Sequence, residues 1–173
     1  AMKHATFKTV GFKDFSRRTA RLKKGMVAGV DEALESLASK ARNEARIRLL
    51  GHRNIATKTL YDSLEIRKVA FWTYEMGTPL DYGVWVEKGT RPHWPPLKPL
   101  VEWSKAKHNY SEEEAHSHAR AVQRAISEKG TKPYPYIRPA HDAIRKIVAS
   151  EIAKAVRHSV LKGRSLWRTG LIR

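Results

Sequence analysis

The sequence predicts an α+β fold: a long N-terminal helix packed on a small antiparallel sheet, then a helical insertion and a C-terminal helix. Three observations point there. Apolar residues recur at helical spacing from about Thr19 to Leu50. Two short stretches of alternating character follow, over 61–69 and 70–77. One phrase is also written twice, as Glu87-Lys88-Gly89-Thr90-Arg91-Pro92-His93 and as Glu128-Lys129-Gly130-Thr131-Lys132-Pro133-Tyr134, 41 residues apart. Its grammar is that of a helix exit: Lys in the last turn, Gly where the backbone needs a positive φ, and Pro to forbid continuation.

Residues 5–12 carry β-formers in rough alternation and read as a short strand. In the long helix, Met26, Val30, Leu34, Leu37, Ala38, Ala41, Ala45 and Leu49 form one stripe, with Gly51 closing it. Gly25 and Gly29 weaken its first turns and allow a break. A helix of about 25 to 30 residues spans ~40 Å and needs a broad partner, most economically a sheet. Leu64 and Ile66 alternate with Glu65 and Arg67, and Trp72, Tyr74 and Met76 with Phe71, Thr73 and Glu75, giving two antiparallel strands without a clear turn signal between them. Val84-Trp85-Val86 suits a strand, but Tyr82, Trp85 and Val86 share a helix face and Gly89 caps it, so a short helix is favoured before Gly89.

Residues 91–133 read as a helical insertion. A short helix near 97–107 turns Leu100 and Trp103 inward, and Ser111-Glu112-Glu113-Glu114 is a capping box for a helix running to Gly130. Pro139 opens a last helix to about Leu161, striped by Ala140, Ile144, Ile147, Val148, Ile152, Ala155 and Val156. The Pro-aromatic stretches after the two exits, Trp94-Pro95-Pro96 and Tyr134-Pro135-Tyr136-Ile137, suit either packed loops or stiff loops presented to a partner. The tail 162–173 is basic, with Trp167 and Leu171 apolar enough to want a binding surface.

A chain of 173 residues suits a single domain, residues 1–173. Ala1 ahead of Met2 reads as an expression scar, with Met2 the expected start and no signal peptide opening the chain. No run is long and apolar enough for a membrane span, so no membrane partner is expected. Zero Cys excludes disulfides, thiolate chemistry and Cys-based zinc sites, and suits a reducing compartment.

Thirty-four Lys and Arg against 17 Asp and Glu leave a net charge of +17. Residues 1–30 carry +7 and residues 138–173 another +7, while the long middle carries only +3. Two basic ends attract polyanions through a salt-dependent term. The candidate contacts are Arg17, Arg18, Arg21, Lys23 and Lys24 beside Phe12 and Phe15, and Arg164 and Arg168 beside Trp167. No zinc-finger spacing, RNP strand or recognition helix accompanies them, so the pattern fits backbone contact and not base reading.

Catalytic patterns fail one by one. His116 and His118 project about 200° apart on a helix and cannot serve one metal from one face. Glu112 with His116, or Glu114 with His118, has ligand spacing but no second cluster, so surface residues explain them. Residues 51–59 mimic a phosphate loop but carry Ala56 for the second Gly and place the Lys one position late. Nucleophile elbow, metalloprotease helix and dinucleotide fingerprint are missing. The chain reads as no enzyme, with no cofactor and no metal.

Three segments in order carry a resemblance: Thr57-Lys58-Thr59-Leu60-Tyr61-Asp62-Ser63-Leu64, then Tyr82-Gly83-Val84-Trp85-Val86-Glu87-Lys88-Gly89-Thr90, then Pro135-Tyr136-Ile137-Arg138-Pro139-Ala140. With the long helix, the chain resembles the tail-completion, or head–tail joining, proteins of long-tailed bacteriophages. These look like a strand, a long helix, Thr-Gly-x-Leu-x-x-Ser, a strand pair, Tyr-Ala-x-x-Val-Glu-x-Gly-Thr and Pro-Phe-x-Arg-Pro-Ala. Lys58 replaces the usual Gly, the stretch 91–133 matches only a longer branch, and the basic tail has no counterpart. The residues matched are Thr57, Leu60, Ser63, Tyr82, Glu87, Gly89, Thr90, Pro135, Arg138 and Pro139; Gly130 joins them through the repeated phrase.

The resemblance implies a non-catalytic minor tail or neck protein of the virion, present in the host cytoplasm during assembly. It would form a homo-oligomeric ring and meet tail-terminator, tail-tube or head–tail connector proteins, with non-specific DNA contact a further partner. The alternative is a freestanding nucleic-acid-binding protein contacting the phosphate backbone through its two ends. A metal-dependent nuclease is a third reading, without the ligand clusters it needs. From the residues themselves, Glu87 is expected to pair with Arg138 or Arg91, and Gly89 and Gly130 to hold a positive φ.

Overall fold

A computed structural model describes residues 12–51 and 58–168, with side chains over 15–51 and 58–163. The fold is α+β, with a long N-terminal helix, a two-stranded antiparallel sheet and a C-terminal helix, as the sequence predicts. The described residues form two compact units, one from residues 12–35 with 148–168 and the other from within residues 36–147. Helix α1 (Phe12–Leu50) contributes to both.

Helix α1 starts seven residues earlier than the stripe suggests, taking Phe12 out of the expected strand; residues 5–11 lie outside the described range. It runs unbroken past Gly25 and Gly29. In the first unit it packs against α7 (Val148–Arg168), and Gly29 is one place of close approach: an added Cβ there would fall on Ser159 Oγ and lie 3.6 Å from the Ala155 carbonyl oxygen. The glycine that weakens the helix by propensity is kept by this approach.

Among the described residues the second unit has two core clusters, the larger of which joins α1 to the segments around the sheet. Ala45 and Leu49 of α1 meet Leu60 of α2 (Thr59–Asp62), Leu64, Tyr136 and Ala140, with Met76, Leu80 and Val86 packed around them. Residues 61–62, expected to open a strand, belong instead to α2. Arg46 stabilises this end: its guanidinium donates to the carbonyls of Tyr61 (3.1 Å) and Asp62 (3.4 Å), orphan acceptors of that short helix, and to Leu64 (3.0 Å) just beyond it. Strands β1 (Glu65–Ala70) and β2 (Thr73–Gly77) then pair with Ile66 opposite Met76 and Arg67 opposite Glu75. Phe71 and Trp72 make the turn, with Trp72 at φ 55°, a left-handed conformation that no Gly or Asn in the sequence signals. Met76 joins the core while much of β1 stays exposed, so α1 meets the sheet at its base.

Helix α3 (Tyr82–Lys88) is the short helix expected before Gly89. Helices α4 (Leu97–His108) and α5 (Glu112–Lys129) form an antiparallel hairpin closed on Val101, Ala115 and Ala119. Asn109 in the left-handed region ends α4, and Ser111 and Glu114 cap α5 reciprocally: Glu114 N–H donates to Ser111 Oγ and Ser111 N–H to Glu114 Oε2. That main-chain donor, then the Ser111 hydroxyl, holds the Glu114 carboxyl below its usual range. The expected single C-terminal helix is two: α6 (Ile137–Arg145) ends at a tight turn in which Ile147 N–H reaches back to the Ile144 carbonyl, and α7 follows.

Candidate assembly surface

The repeated phrase solves one problem, seen from its two ends. Thr90 and Thr131 form an antiparallel bridge, with Thr90 N–H donating to Thr131 O at 3.1 Å and Thr131 N–H to Thr90 O at 3.2 Å. Their hydroxyls lie 3.0 Å apart. The chain thus enters and leaves the α4–α5 excursion through one pinned neck. Gly89 (φ 69°, ψ −177°) and Gly130 (φ 68°, ψ −163°) adopt the conformation open essentially to glycine alone. Sterics add to this: a Cβ on Gly89 would strike the Thr131 carbonyl oxygen, and one on Gly130 the Thr90 carbonyl oxygen.

Glu87 ties the neck to α6. Its Oε2 accepts from the N–H groups of Tyr136 (2.6 Å) and Ile137 (2.8 Å), and its Oε1 from Arg138 N–H (3.0 Å). These are the orphan donors of a helix start, where a carboxylate is favoured by hydrogen bonding and by the helix dipole. Glu87 therefore meets Arg138 through the main chain, and not as the side-chain pair the sequence suggests. Pro139 falls in the first turn of α6, where its missing N–H costs nothing.

Tyr136 overturns the idea that the second Pro-aromatic loop faces a partner. It is fully buried, and its hydroxyl donates to the Gly83 carbonyl at 3.3 Å. Burial, then the Glu87 carboxylate and Tyr82, push its phenol up to about 12. Gly83 makes room for it, since a Cβ there would lie 2.9 Å from that hydroxyl. Tyr134 also turns inward, its hydroxyl donating to Arg48 O at 3.0 Å. The first loop differs: Trp94 is 68% exposed.

The remaining motif residues separate into core and surface. Leu60 is buried, and Ser63 Oγ bonds the Leu60 carbonyl and lies 2.7 Å from Thr78 Oγ1, locking the chain before α3. Pro135 is exposed, and Thr57 lies outside the described residues. Helix α3 turns Gly83, Val86 and Glu87 inward and leaves Tyr82 and Trp85, one helical turn apart, on the outside, Trp85 being 57% exposed. Phe71 and Trp72, stacked at 4.7 Å between ring centres, sit exposed at the hairpin tip. Tyr82, Trp85, Trp94, Phe71 and Trp72 thus give this unit several large aromatics in water, more than scattered surface hydrophobics require. The sequence marks Tyr82 and Trp94 but not the hairpin tip, whose signal was the Phe71-Trp72 pair between two alternating runs.

Among the described residues, no group of three His, Cys, Asp or Glu could bind an ion. His116 pairs with Glu112 at 3.2 Å, and Lys105 also bonds Glu112 and holds its carboxyl below the usual range. His118, expected on the surface, is half-buried, stacked on Trp103, with Nδ1 3.0 Å from the buried Ser104 hydroxyl. Its periodicity with Ala115 and Val122 was the available signal. Of the basic candidates, Arg17, Arg18, Arg21, Lys23 and Lys24 are exposed on α1, while Arg164 and Arg168 belong to α7 with side chains outside the described range. No helix among the described residues is long and apolar enough to cross a membrane.

Compared with protein-family models, curated proteins and solved structures, the chain matches none of them.

Proposed function

We propose that the chain is a virion structural protein of a long-tailed bacteriophage, acting in tail completion or head–tail joining by assembly and without catalysis. Its partners on this reading are copies of itself in a ring and neighbouring tail-terminator, tail-tube or connector proteins. One observation carries the reading. The three segments behind the resemblance, spread over residues 57–140, converge on one cluster: Leu60 and Leu64 from the first, Gly83, Val86 and Glu87 from the second, Tyr136 and Ala140 from the third. Their meeting in one core supports treating the three segments as a single set.

The outward side of the same region supports assembly as the mode of action. Large aromatics dominate the energetic centres of subunit interfaces, and here they stand on short, well-braced elements that lose little freedom on docking. Deleting the reading frame from its genome and imaging the particles tests the proposal. Heads and tails that fail to join, restored when the chain is supplied in trans, are expected. Joined, infectious particles without the chain would overturn it.

A further inference from the structure

The described parts of the two basic ends of the sequence meet in one helix pair. In the first unit, a Cβ on Gly163 of α7 would lie 3.1 Å from Leu22 Cδ1 of α1, and Gly29 lies against Ser159 and Ala155. As the position rises along α1 it falls along α7, so the helices run antiparallel. Residues 15–30 hold five basic side chains and residues 154–163 three, and neither stretch holds an acidic one. All eight are exposed, and Lys154 pairs with Glu151 at 2.7 Å.

Helical geometry orders them. At about 100° per residue, Arg17, Arg21 and Lys24 fall within an arc of about 60° turned away from Leu22 and Gly29. On α7, Lys154 and Arg157 lie opposite the face that carries Ala155, Ser159 and Gly163, whereas Lys162 lies about 60° from that face and shares one side of the antiparallel seam with Arg18 and Arg21. The Leu22–Gly163 contact sets Arg21 at about the level of Lys162, with Arg18 and Arg17 about one turn further along the pair. A rod of two helices with cations repeating along it matches a partner whose anions repeat along it.

We propose that this helix pair binds the phosphate backbone of duplex DNA, independently of the assembly reading above. An acidic protein partner fits less well. Among the described residues of these two stretches, large apolar side chains are exposed only at Phe15 and Leu161, whereas a protein interface needs a desolvated apolar centre. Single strands fit less well too, because Phe15 alone cannot stack successive bases. Arginine supplies half of the eight cations and offers phosphate a bidentate fork.

The test is binding of the full chain to a short random-sequence duplex as a function of salt. Contact with about five phosphates predicts a slope of log K against log salt of about −4 to −5, and several-hundred-fold weakening between about 50 and 200 mM salt. Replacing Arg17, Arg18, Arg21 and Lys162 with Gln should reduce the slope by about 3 to 4. A control losing four charges elsewhere (Lys98, Arg120, Arg124 and Lys146 to Gln) should keep the slope within about 1 of the parent. Should the first variant unfold, Lys162→Gln alone should lower the slope by about 1. Equal losses in variant and control, or no binding at about 50 mM salt, would overturn the proposal. So would polyglutamate competing as well as DNA at equal charge, which would make the partner an acidic protein. None of these failures touches the assembly reading.

Discussion

Thr90 and Thr131 hold each other at the base of the α4–α5 excursion, each main-chain N–H donating to the other's carbonyl oxygen. They occupy the same place in the twice-written phrase, so the repeat is a local two-fold: one strand-like residue, one glycine and one helix exit on each side. A two-residue bridge contributes little alone. Its strength comes from the glycines that let two backbones approach and from the prolines that stop each helix from running on.

Gly89→Ala and Gly130→Ala should each destabilise the chain by about 2–4 kcal/mol, since each combines a glycine-only conformation with a carbonyl oxygen in the path of the new Cβ. Because both break the same bridge, the double variant should lose less than the sum. Urea unfolding measures all three. Losses below about 0.5 kcal/mol would show that the neck contributes nothing to stability.

Glu87→Ala leaves three N–H groups at the start of α6 without their acceptor and should cost about 2–3 kcal/mol. Glu87→Gln keeps one acceptor oxygen but turns an NH₂ toward donors, and should cost about 1–2 kcal/mol. Thermal melts rank the two. A Gln variant as damaging as Ala would mean that the carboxylate charge, and not the acceptor geometry, carries the effect.

Tyr136 sets an alkaline limit. Its folded pKa of about 12 lies above the ordinary value of 10.0, so folding favours the protonated phenol. That stabilisation is complete below pH 10 and is lost as pH rises toward 12. The amount is on the order of 2–3 kcal/mol. The stability difference between the parent and Tyr136→Phe should therefore shift against the parent by about that much between pH 9 and pH 12. A difference that does not change over this range would contradict the burial of an un-ionised phenol.

The long helix, the capping box at Ser111 and the two positive-φ glycines were legible because each rests on local chemistry: periodicity, a cap, a breaker. Every residue of the expected α1 stripe is buried or half-buried. What escaped is set by tertiary contact. Nothing local says that Arg46 will close α2, that Tyr136 will turn into the core while Trp94 faces water, or that Glu87 will spend its carboxylate on main-chain donors 49 to 51 residues away. The break before Val148 escaped for the converse reason, because the apolar stripe continues through Ile147 as if one helix carried it.

The exposed pair Tyr82 and Trp85 stands on the braced helix α3, and sedimentation velocity over a range of protein concentration tests the assembly reading most directly. The parent chain should pass from monomer to one defined larger species as concentration rises. Tyr82→Ser with Trp85→Ser should melt as the parent does yet stay monomeric throughout. A parent that never associates, or a double variant that associates as readily, would contradict the claim that these aromatics join one copy to the next.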